Sequence, residues 1–276
     1  MKAILPAGLW NGLRRLWEGL RGAKSALNRI YVRFFGPYYC PLCGNKAAGF
    51  RPLAKELMDM YIQYGCLGGR FTGELFSPGQ FSCLHCGGMD RERLVAEYFL
   101  RRLGENKPGP NFRLLEFAPR PAIGAFLRKN FTLQHETSDL FMPDVDYRLD
   151  ISAMPQLKEA AYDAWICLHV LEHVPDDASA LRELYRILKP GGFGALLAPI
   201  SLTLAATDED PGAPEEERWR RFWQGDHVRL YAKADFAARV KAAGFTVHEL
   251  GLDYFGRKCF EKLALPDTSV LYVVER

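Results

Sequence analysis

The chain has 276 residues, of which 48% are hydrophobic and 25% are charged, as in an ordinary globular protein. This length fits one large domain, or one domain with a small one beside it. No apolar run reaches the roughly 18 residues of a membrane span, and the N-terminus lacks the apolar segment and cleavage site of a secretory signal. We therefore expect a cytoplasmic protein.

The formal net charge of +3 is unevenly distributed along the chain. Residues 1–39 carry seven Lys or Arg side chains and one acid, Glu18, whereas the remaining residues carry 29 basic and 32 acidic side chains. In this arm the apolar side chains, Trp17 among them, recur at helical spacing opposite the basic ones, as in a helix that lies in a membrane interface. We expect residues 1–35 to contact an anionic membrane surface, peripherally on its inner face. Docking on the protein or on a second subunit, and a nucleic-acid-binding arm, stay open.

Four of the seven cysteines form two CxxC pairs, Cys40 with Cys43 and Cys83 with Cys86, and a glycine follows each pair. Two residues between thiolates let a tight turn aim both sulfurs at one ion, and the glycine permits that turn. Such pairs favour a metal in a reducing compartment over disulfides. We predict a closed structural site in which the four thiolates hold Zn²⁺. His85, inside the second pair, is a less favoured alternative ligand.

After the first cysteine pair, hydrophobic runs and helical patterns alternate along the chain. Two helices are predicted within and after the cysteine module, at Leu53–Tyr64 and Arg91–Leu103. Helices are also predicted at Asp176–Leu188, which Lys189-Pro-Gly-Gly192 would stop, and at Ala234–Ala243. The predicted strands are Phe112–Phe117, Phe131–Glu136, a segment that ends at Asp150-Ile151, Tyr162–His169, Phe193–Pro199, Phe245–Leu250 and Val270–Glu275.

The strand ends and one turn after a helix carry a characteristic series of residues: Phe112–Pro119, Thr137–Asp139, Arg148–Ile151, Tyr162–Asp176 and Leu188–Gly192. In order and spacing, over about residues 111–275, this series resembles the class I S-adenosylmethionine-dependent methyltransferases. The resemblance implies an α/β fold with a Rossmann-like sheet of seven strands in the order 3-2-1-4-5-7-6, the last strand being antiparallel. The chain then divides into a basic amphipathic arm (1–37), a zinc-knuckle module with its linking helix (38–104) and a class I methyltransferase domain (105–276).

The resemblance also implies where S-adenosylmethionine binds, because an open parallel sheet places its ligand at the carboxyl ends of the strands. The family's first strand ends in an acid near the amino group of the cofactor, here Glu116, and a glycine-rich turn follows. Here that turn is Ala118-Pro-Arg-Pro-Ala122, without glycine, and it is similar to the Phe-Ala-Pro-Glu-Pro turn of a bacterial group with N-terminal cysteine knuckles. The implied cofactor contacts are Glu116, Ala118 and Pro119 to the methionine part, Asp139 or alternatively Glu136 to the ribose, Asp150 and Ile151 to adenine, and Leu168 and His169 beside the sulfonium.

Residues 200–231 are too long for an ordinary connection between a strand and a helix. In an extended segment His227, Arg229 and Tyr231 would share a face, and the resemblance places this run over the methyl group. We predict His227 as a general base oriented by Asp226, and Arg229 and Tyr231 as contacts to the acceptor. The alternative is a packed lid with a satisfied His–Asp pair.

We therefore expect methyl transfer to a small molecule or a cell-surface glycan precursor, with oxygen as the favoured target atom. An RNA methyltransferase with a zinc module is the alternative, although basic residues are concentrated in the arm and nucleic acid is not the favoured partner. A non-catalytic zinc-containing scaffold is the third hypothesis, supported only by the glycine-free turn.

Overall fold

A computed structural model describes residues 36–66 and 73–276. The predicted amphipathic arm lies outside these residues, so its membrane contact stays a prediction. Within the described ranges, no helix has both the length and the apolarity that crossing a membrane would require.

The centre of the fold is a seven-stranded sheet in the order β5-β4-β3-β6-β7-β12-β11. Strand β12 runs antiparallel to both of its neighbours, and the other neighbouring strands are parallel. This confirms the predicted order and the antiparallel last strand. The strands are β3 (Arg113–Phe117), β4 (Gln134–Asp139), β5 (Tyr147–Arg148), β6 (Tyr162–Leu168), β7 (Leu188–Leu197), β11 (Thr246–Leu250) and β12 (Leu271–Glu275).

Two small sheets and eight helices complete the described part of the chain. The small sheets pair β1 (Tyr38–Cys40) with β2 (Asn45–Ala47), and β10 (Arg229–Ala232) with both β8 (Ile200–Ser201) and β9 (Asp208–Glu209). The helices are α1 (Lys55–Gln63), α2 (Asp90–Gly104), α3 (Pro121–Asn130), α4 (Asp177–Ile187), α5 (Glu215–Phe222), α6 (Lys233–Ala242), α7 (Leu252–Phe255) and α8 (Arg257–Leu263).

Two strands, β4 and β7, begin three or more residues away from their predicted starts. Strand β4 begins three residues later than predicted, because Phe131 is buried beside Phe126 at the end of α3 and its apolarity reflects helix packing. The predicted stop Lys189-Pro-Gly-Gly192 is part of β7, where the pairing shifts from Tyr162 opposite Leu188 to Ala164 opposite Phe193. The run is thus a bulge within the strand, and Gly191 donates to the carbonyl of Arg276.

Helix α2 belongs to the core of the sheet although it directly follows the second cysteine pair. Its side chains Leu94, Val95 and Phe99 are at most 1% exposed, and they lie in the same hydrophobic cluster as Leu114 and Phe193 of the sheet. The cysteine module and the sheet therefore share one hydrophobic core. The predicted domain boundary at residue 104 stays a prediction from the sequence.

A buried arginine fixes the start of this helix. The guanidinium of Arg93 donates to the carbonyls of Leu263, Phe81 and Gln80 at 2.7–3.1 Å and lies 3.7 Å from the centre of the Phe50 ring. Burial lowers the pKa of Arg93, which Asp90 opposes. Because three acceptors from two distant segments converge on one side chain, Arg93 ties the cysteine module to α8.

We predict that Arg93→Ala lowers the free energy of unfolding by about 3–5 kcal/mol, since it leaves buried carbonyls without a donor and removes a packed side chain. Urea denaturation measures this change. Arg102→Ala on the same helix is the control, because the Arg102 side chain is 44% exposed and forms an ion pair with the partly exposed Glu275. This variant should lower the free energy of unfolding by less than about 1 kcal/mol. Equal losses for the two variants would contradict the assignment.

Candidate active site

The ends of four parallel strands lie level with one another at one edge of the sheet. Phe117 of β3 pairs with Ser138 of β4 and with Cys167 of β6, and Asp139 pairs with Arg148 of β5. The residues that follow these strands therefore meet at the same edge, as in open sheets that bind a ligand there. This brings together the residues predicted from the strand ends.

The turn after β3 reaches a left-handed conformation without glycine. Ala118 has φ of +48°, which costs a non-glycine residue roughly 1–2 kcal/mol. The carboxylate of Glu116 is buried and braces this turn: Oε1 accepts the backbone N–H of Arg120, and Oε2 lies 2.8 Å from Nε2 of His135. Ala118 and Pro119 are half-buried beside it. Glu116 therefore fixes the turn through protein contacts of its own.

The predicted ribose and adenine residues Asp139 and Asp150 lie at or just after the ends of β4 and β5, and each is followed by a tight loop. Oδ1 of Asp139 accepts the N–H groups of Phe141 and Met142, and Oδ1 of Asp150 accepts both the N–H and the hydroxyl of Ser152. Asp150 follows β5 by two residues, so it does not end the strand as predicted; Ile151 beside it is buried. Each carboxylate thus shapes its loop with one oxygen.

Strand β6 ends at Leu168, which is buried, and the chain turns at His169 with φ of +57°. The N–H of His169 donates to the carbonyl of Leu197, and its Nδ1 lies 3.0 Å from Oε1 of Glu172. Burial, with the charge of Arg91, lowers the pKa of His169 to about 4 although Glu172 opposes this. The side chain is therefore neutral at neutral pH.

Glu172 is a central residue that the sequence analysis did not assign. It is fully buried, and among the described residues neither of its carboxylate oxygens receives a hydrogen bond of good geometry. Burial alone would raise the pKa of Glu172, but His169 first, then His227 and His173, hold it at about 2. An acid directly after the apolar pair Val170-Leu171, at the end of a buried strand, was the available signal.

His227 approaches the same carboxylate from the insert. Its Nδ1 lies 2.8 Å from the carbonyl of Phe222, so Nδ1 carries the proton and Nε2 does not. Nε2 lies 4.0 Å from Oε1 of Glu172. Burial lowers the pKa of His227, which Glu172 partly offsets. The neutral ring therefore presents an unprotonated nitrogen.

The predicted pair of Asp226 and His227 does not form. Asp226 is exposed, and its carboxylate lies 3.5 Å from Nδ1 of His173. The His173 ring packs edge-on against His227 with 4.8 Å between the ring centres. The carboxylate of Asp226 thus reaches Glu172 and His227 only through His173. The carbonyl of Phe222, and not Asp226, accepts the hydrogen bond that orients His227.

Arg229 and Tyr231 are buried and bound to protein groups. The guanidinium of Arg229 donates to the carbonyls of Leu171, Val174 and Pro175 and to Glu209, and the Tyr231 hydroxyl donates to Asp177 at 2.8 Å. Both are at most 1% exposed. Their contacts favour a role in holding the insert on the turn after β6 over the predicted contact with an acceptor.

Within residues 36–66 and 73–276, two groups of side chains could hold a metal ion. The sulfurs of Cys40, Cys43, Cys83 and Cys86 all lie within 4.8 Å of one another. Gly44 and Gly87, which follow the two pairs, have φ of +79° and +73°. Each donates its N–H to the backbone carbonyl of the first cysteine of its pair. The predicted four-cysteine cluster is thus confirmed. Glu172, His173 and His227 also offer ligand atoms within 4.8 Å of one another.

The sequence model of a family described as "Methyltransferase domain" matches residues 125–196, which run from α3 through β6 into β7. This match covers β4, β5 and β6, three of the four strands whose ends form the site, and begins after β3. Residues 125–196 thus match a methyltransferase domain, and the seven-stranded sheet that contains them has the class I S-adenosylmethionine-dependent methyltransferase fold. For these methyltransferases S-adenosylmethionine is the implied methyl donor.

Curated relatives of this methyltransferase include ubiquinone biosynthesis O-methyltransferases. The protein from Pseudomonas fluorescens is 28% identical over 142 residues, which are 48% of this chain and 57% of the relative. The one from Paracidovorax citrulli is 40% identical over 52 residues, 18% of this chain and 22% of the relative. The chain thus spans between a fifth and somewhat over half of these relatives' length.

Solved structures with a similar arrangement share little sequence with the chain. The S-adenosylmethionine-dependent methyltransferase from Mesorhizobium loti is 16% identical, with 64% of this chain and 97% of that one covered and a TM-score of 0.42. The [4+2]-cyclase SpnF is 15% identical, with 82% of this chain and 96% of the cyclase covered and a TM-score of 0.39.

The residues at the sheet edge fit the methyl donor of this family. Ser138, between the end of β3 and Asp139, has a buried hydroxyl without a hydrogen-bonding partner in the described ranges. Buried polar groups are normally paired, and a polar ligand at this edge would supply a partner for the hydroxyl. Asp139 keeps a second carboxylate oxygen beyond the one that binds its loop.

We predict that the protein binds S-adenosylhomocysteine and that Asp139→Ala weakens this binding by ~1–3 kcal/mol, through loss of charge-assisted hydrogen bonds to the ribose. Isothermal titration calorimetry measures both. Asp144→Ala, an exposed acid in the same loop, is the control and should bind like the parent protein. An unchanged affinity in Asp139→Ala would show that this carboxylate does not contact the ligand.

Proposed function

We propose that the protein transfers a methyl group from S-adenosylmethionine to a hydroxyl oxygen of a small molecule or a surface-glycan precursor. The observation that carries this proposal is the unprotonated Nε2 of His227, a residue that lines the same cavity as His169. A hydroxyl must lose its proton when its oxygen is methylated, and a neutral histidine is the usual acceptor of that proton.

Each strand end contributes one part of the proposed donor site. S-adenosylmethionine supplies the methyl group from its positively charged sulfonium. Asp139 would bind the ribose, Asp150 and Ile151 the adenine, and the turn at Ala118-Pro119, braced by Glu116, the methionine part. His169 and Leu168 would lie beside the sulfonium. Because His169 is neutral at neutral pH, it does not repel that charge.

Glu172 assists His227 in this proposal. The hydroxyl proton moves to Nε2 of His227 as the oxygen is methylated, so the ring becomes positively charged. The ionised carboxylate of Glu172, 4.0 Å away, stabilises that charge in a site shielded from water. The bond from Nδ1 to the carbonyl of Phe222 keeps the ring in place. Asp226 does not pair with His227 and acts indirectly, by orienting His173.

We predict that His227→Ala lowers kcat by about 10²–10⁴-fold, the usual contribution of a general base, and leaves S-adenosylhomocysteine affinity unchanged. Because burial lowers the pKa of His227, the parent rate should fall only as pH drops through a value below about 6.5, the ordinary pKa of histidine. Transfer of the labelled methyl group from S-adenosylmethionine into acceptors of a cell extract measures the rate.

The control for this prediction is His248→Ala, because His248 lies on β11 with Glu275 as its partner, away from the cavity. It should keep the parent rate and pH profile. A His227→Ala protein with the parent rate and the parent acid limb would rule out the base assignment.

We also propose that the four cysteines hold one structural zinc ion. Cys40 and Cys86 have their sulfurs 3.7 Å apart, and Cys43 and Cys83 have theirs 3.9 Å apart. A tetrahedral zinc ion with bonds of about 2.3 Å separates its sulfurs by about 3.8 Å. The site is closed by four protein ligands, so its role is to stabilise the module.

We predict about one equivalent of zinc per chain by elemental analysis, because four thiolates complete the coordination of one ion. Cys43→Ser should lose the zinc and unfold at lower denaturant concentration, since binding energy at such a site is folding energy. Cys259→Ser is the control, because Cys259 lies on α8 outside the cluster. A metal-free protein as stable as the zinc-loaded one would contradict the proposal.

A further inference from the structure

A cavity of about 390 Å³ lies beside the donor edge, between the cysteine module and the insert. His169 and Arg120, which follow the ends of β6 and β3, line it together with Glu172 and His227. Among the described residues that line it, neither the ribose acid Asp139 nor the adenine-side residues appear. The cavity therefore begins where the methyl group is expected and extends away from the nucleoside.

One wall of this cavity comes from the cysteine module and is apolar. Leu57 and Tyr61 stand one turn apart on α1 and so share a face. The Phe76 ring packs edge-on against Tyr61 at 5.8 Å between the ring centres. Trp223 and Ile200 of the insert line the cavity as well. These five side chains are called the apolar wall below.

The acids on the module side of the cavity are already bound by the protein. Glu74 accepts the Tyr272 hydroxyl at 2.9 Å and pairs with Lys233, and Asp90 accepts the N–H groups of Ser77 and Arg91. The groups suited to a hydroxyl stand on the other side, around His227. A ligand that fills the cavity therefore meets the apolar wall along one face and a proton acceptor at His227, and Arg91 and Arg120 also line the space around it.

We propose that the cysteine module forms the acceptor-binding wall, and that the acceptor is a small compound whose hydroxyl is carried on an apolar ring. This rests on the methyl transfer proposed above and narrows its acceptor. A cavity of this size suits a small molecule. A sugar ring presents hydroxyl groups on most sides, and those facing the apolar wall would lose their hydrogen bonds to water.

The experiment titrates 2-naphthol, a hydroxylated apolar ring, and methyl α-glucoside into the full-length protein saturated with S-adenosylhomocysteine. We expect the protein to bind 2-naphthol more tightly than the glucoside. Leu57→Ala and Tyr61→Ala should each weaken the binding of 2-naphthol by about tenfold or more, since burying an apolar side chain against the ligand contributes at least that factor to the affinity. Leu57 is only half-buried, so its variant keeps the test valid if Tyr61→Ala does not fold.

Ile62→Ala is the matched control, because Ile62 lies on the same helix but is 62% exposed. It should bind both probes like the parent protein, and all three variants should keep the parent affinity for S-adenosylhomocysteine. Absent 2-naphthol binding, binding that both wall variants leave unchanged, or a preference for the glucoside overturns the proposal. A parent protein that binds 2-naphthol through the wall but does not bind S-adenosylhomocysteine would contradict the methyl-transfer proposal instead.

Discussion

The site depends on the buried guanidinium of Arg93, because this side chain fixes the cysteine module on the sheet. A charged group loses its water on burial, and only good hydrogen bonds offset that loss. Arg93 has three carbonyl partners, two from the segment before the second cysteine pair and one from α8. Leu57, Tyr61 and Phe76 of the apolar wall belong to the same module, so the shape of the cavity on that side follows from where Arg93 holds the module.

A second buried arginine has the same function on the opposite side of the cavity. Arg229 binds three carbonyls in and after the turn Leu171–His173, and so holds β10 against the end of β6. His227 precedes Arg229 by two residues, and this distance along the chain brings its ring to Glu172. The two arginines therefore position the two walls, while the parallel sheet positions the donor edge between them.

The sequence predicted the features that depend on local spacing. The CxxC-Gly pairs, the sheet order and the positions of Asp139 at the end of β4 and of His169 just after β6 follow from motifs of a few residues and their succession. Burial is different, because it is decided by segments far apart in the chain. The alternation that placed Arg229 and Tyr231 on one face was informative, but it could not show that Asp177 and the carbonyls after β6 cover that face.

The partner of His227 illustrates the same limit. Asp226 was the nearest acid in sequence, yet adjacent residues of an extended segment point to opposite faces. The acid that does face His227 is Glu172, 55 positions earlier, and it is reached only because the insert folds back over β6. A buried carboxylate without hydrogen bonds is costly to keep, and nearby imidazoles offset part of that cost. Such a conflict between stability and local chemistry is expected at a functional site. Glu172 therefore marks the cluster as functional, although its spacing in the sequence did not single it out.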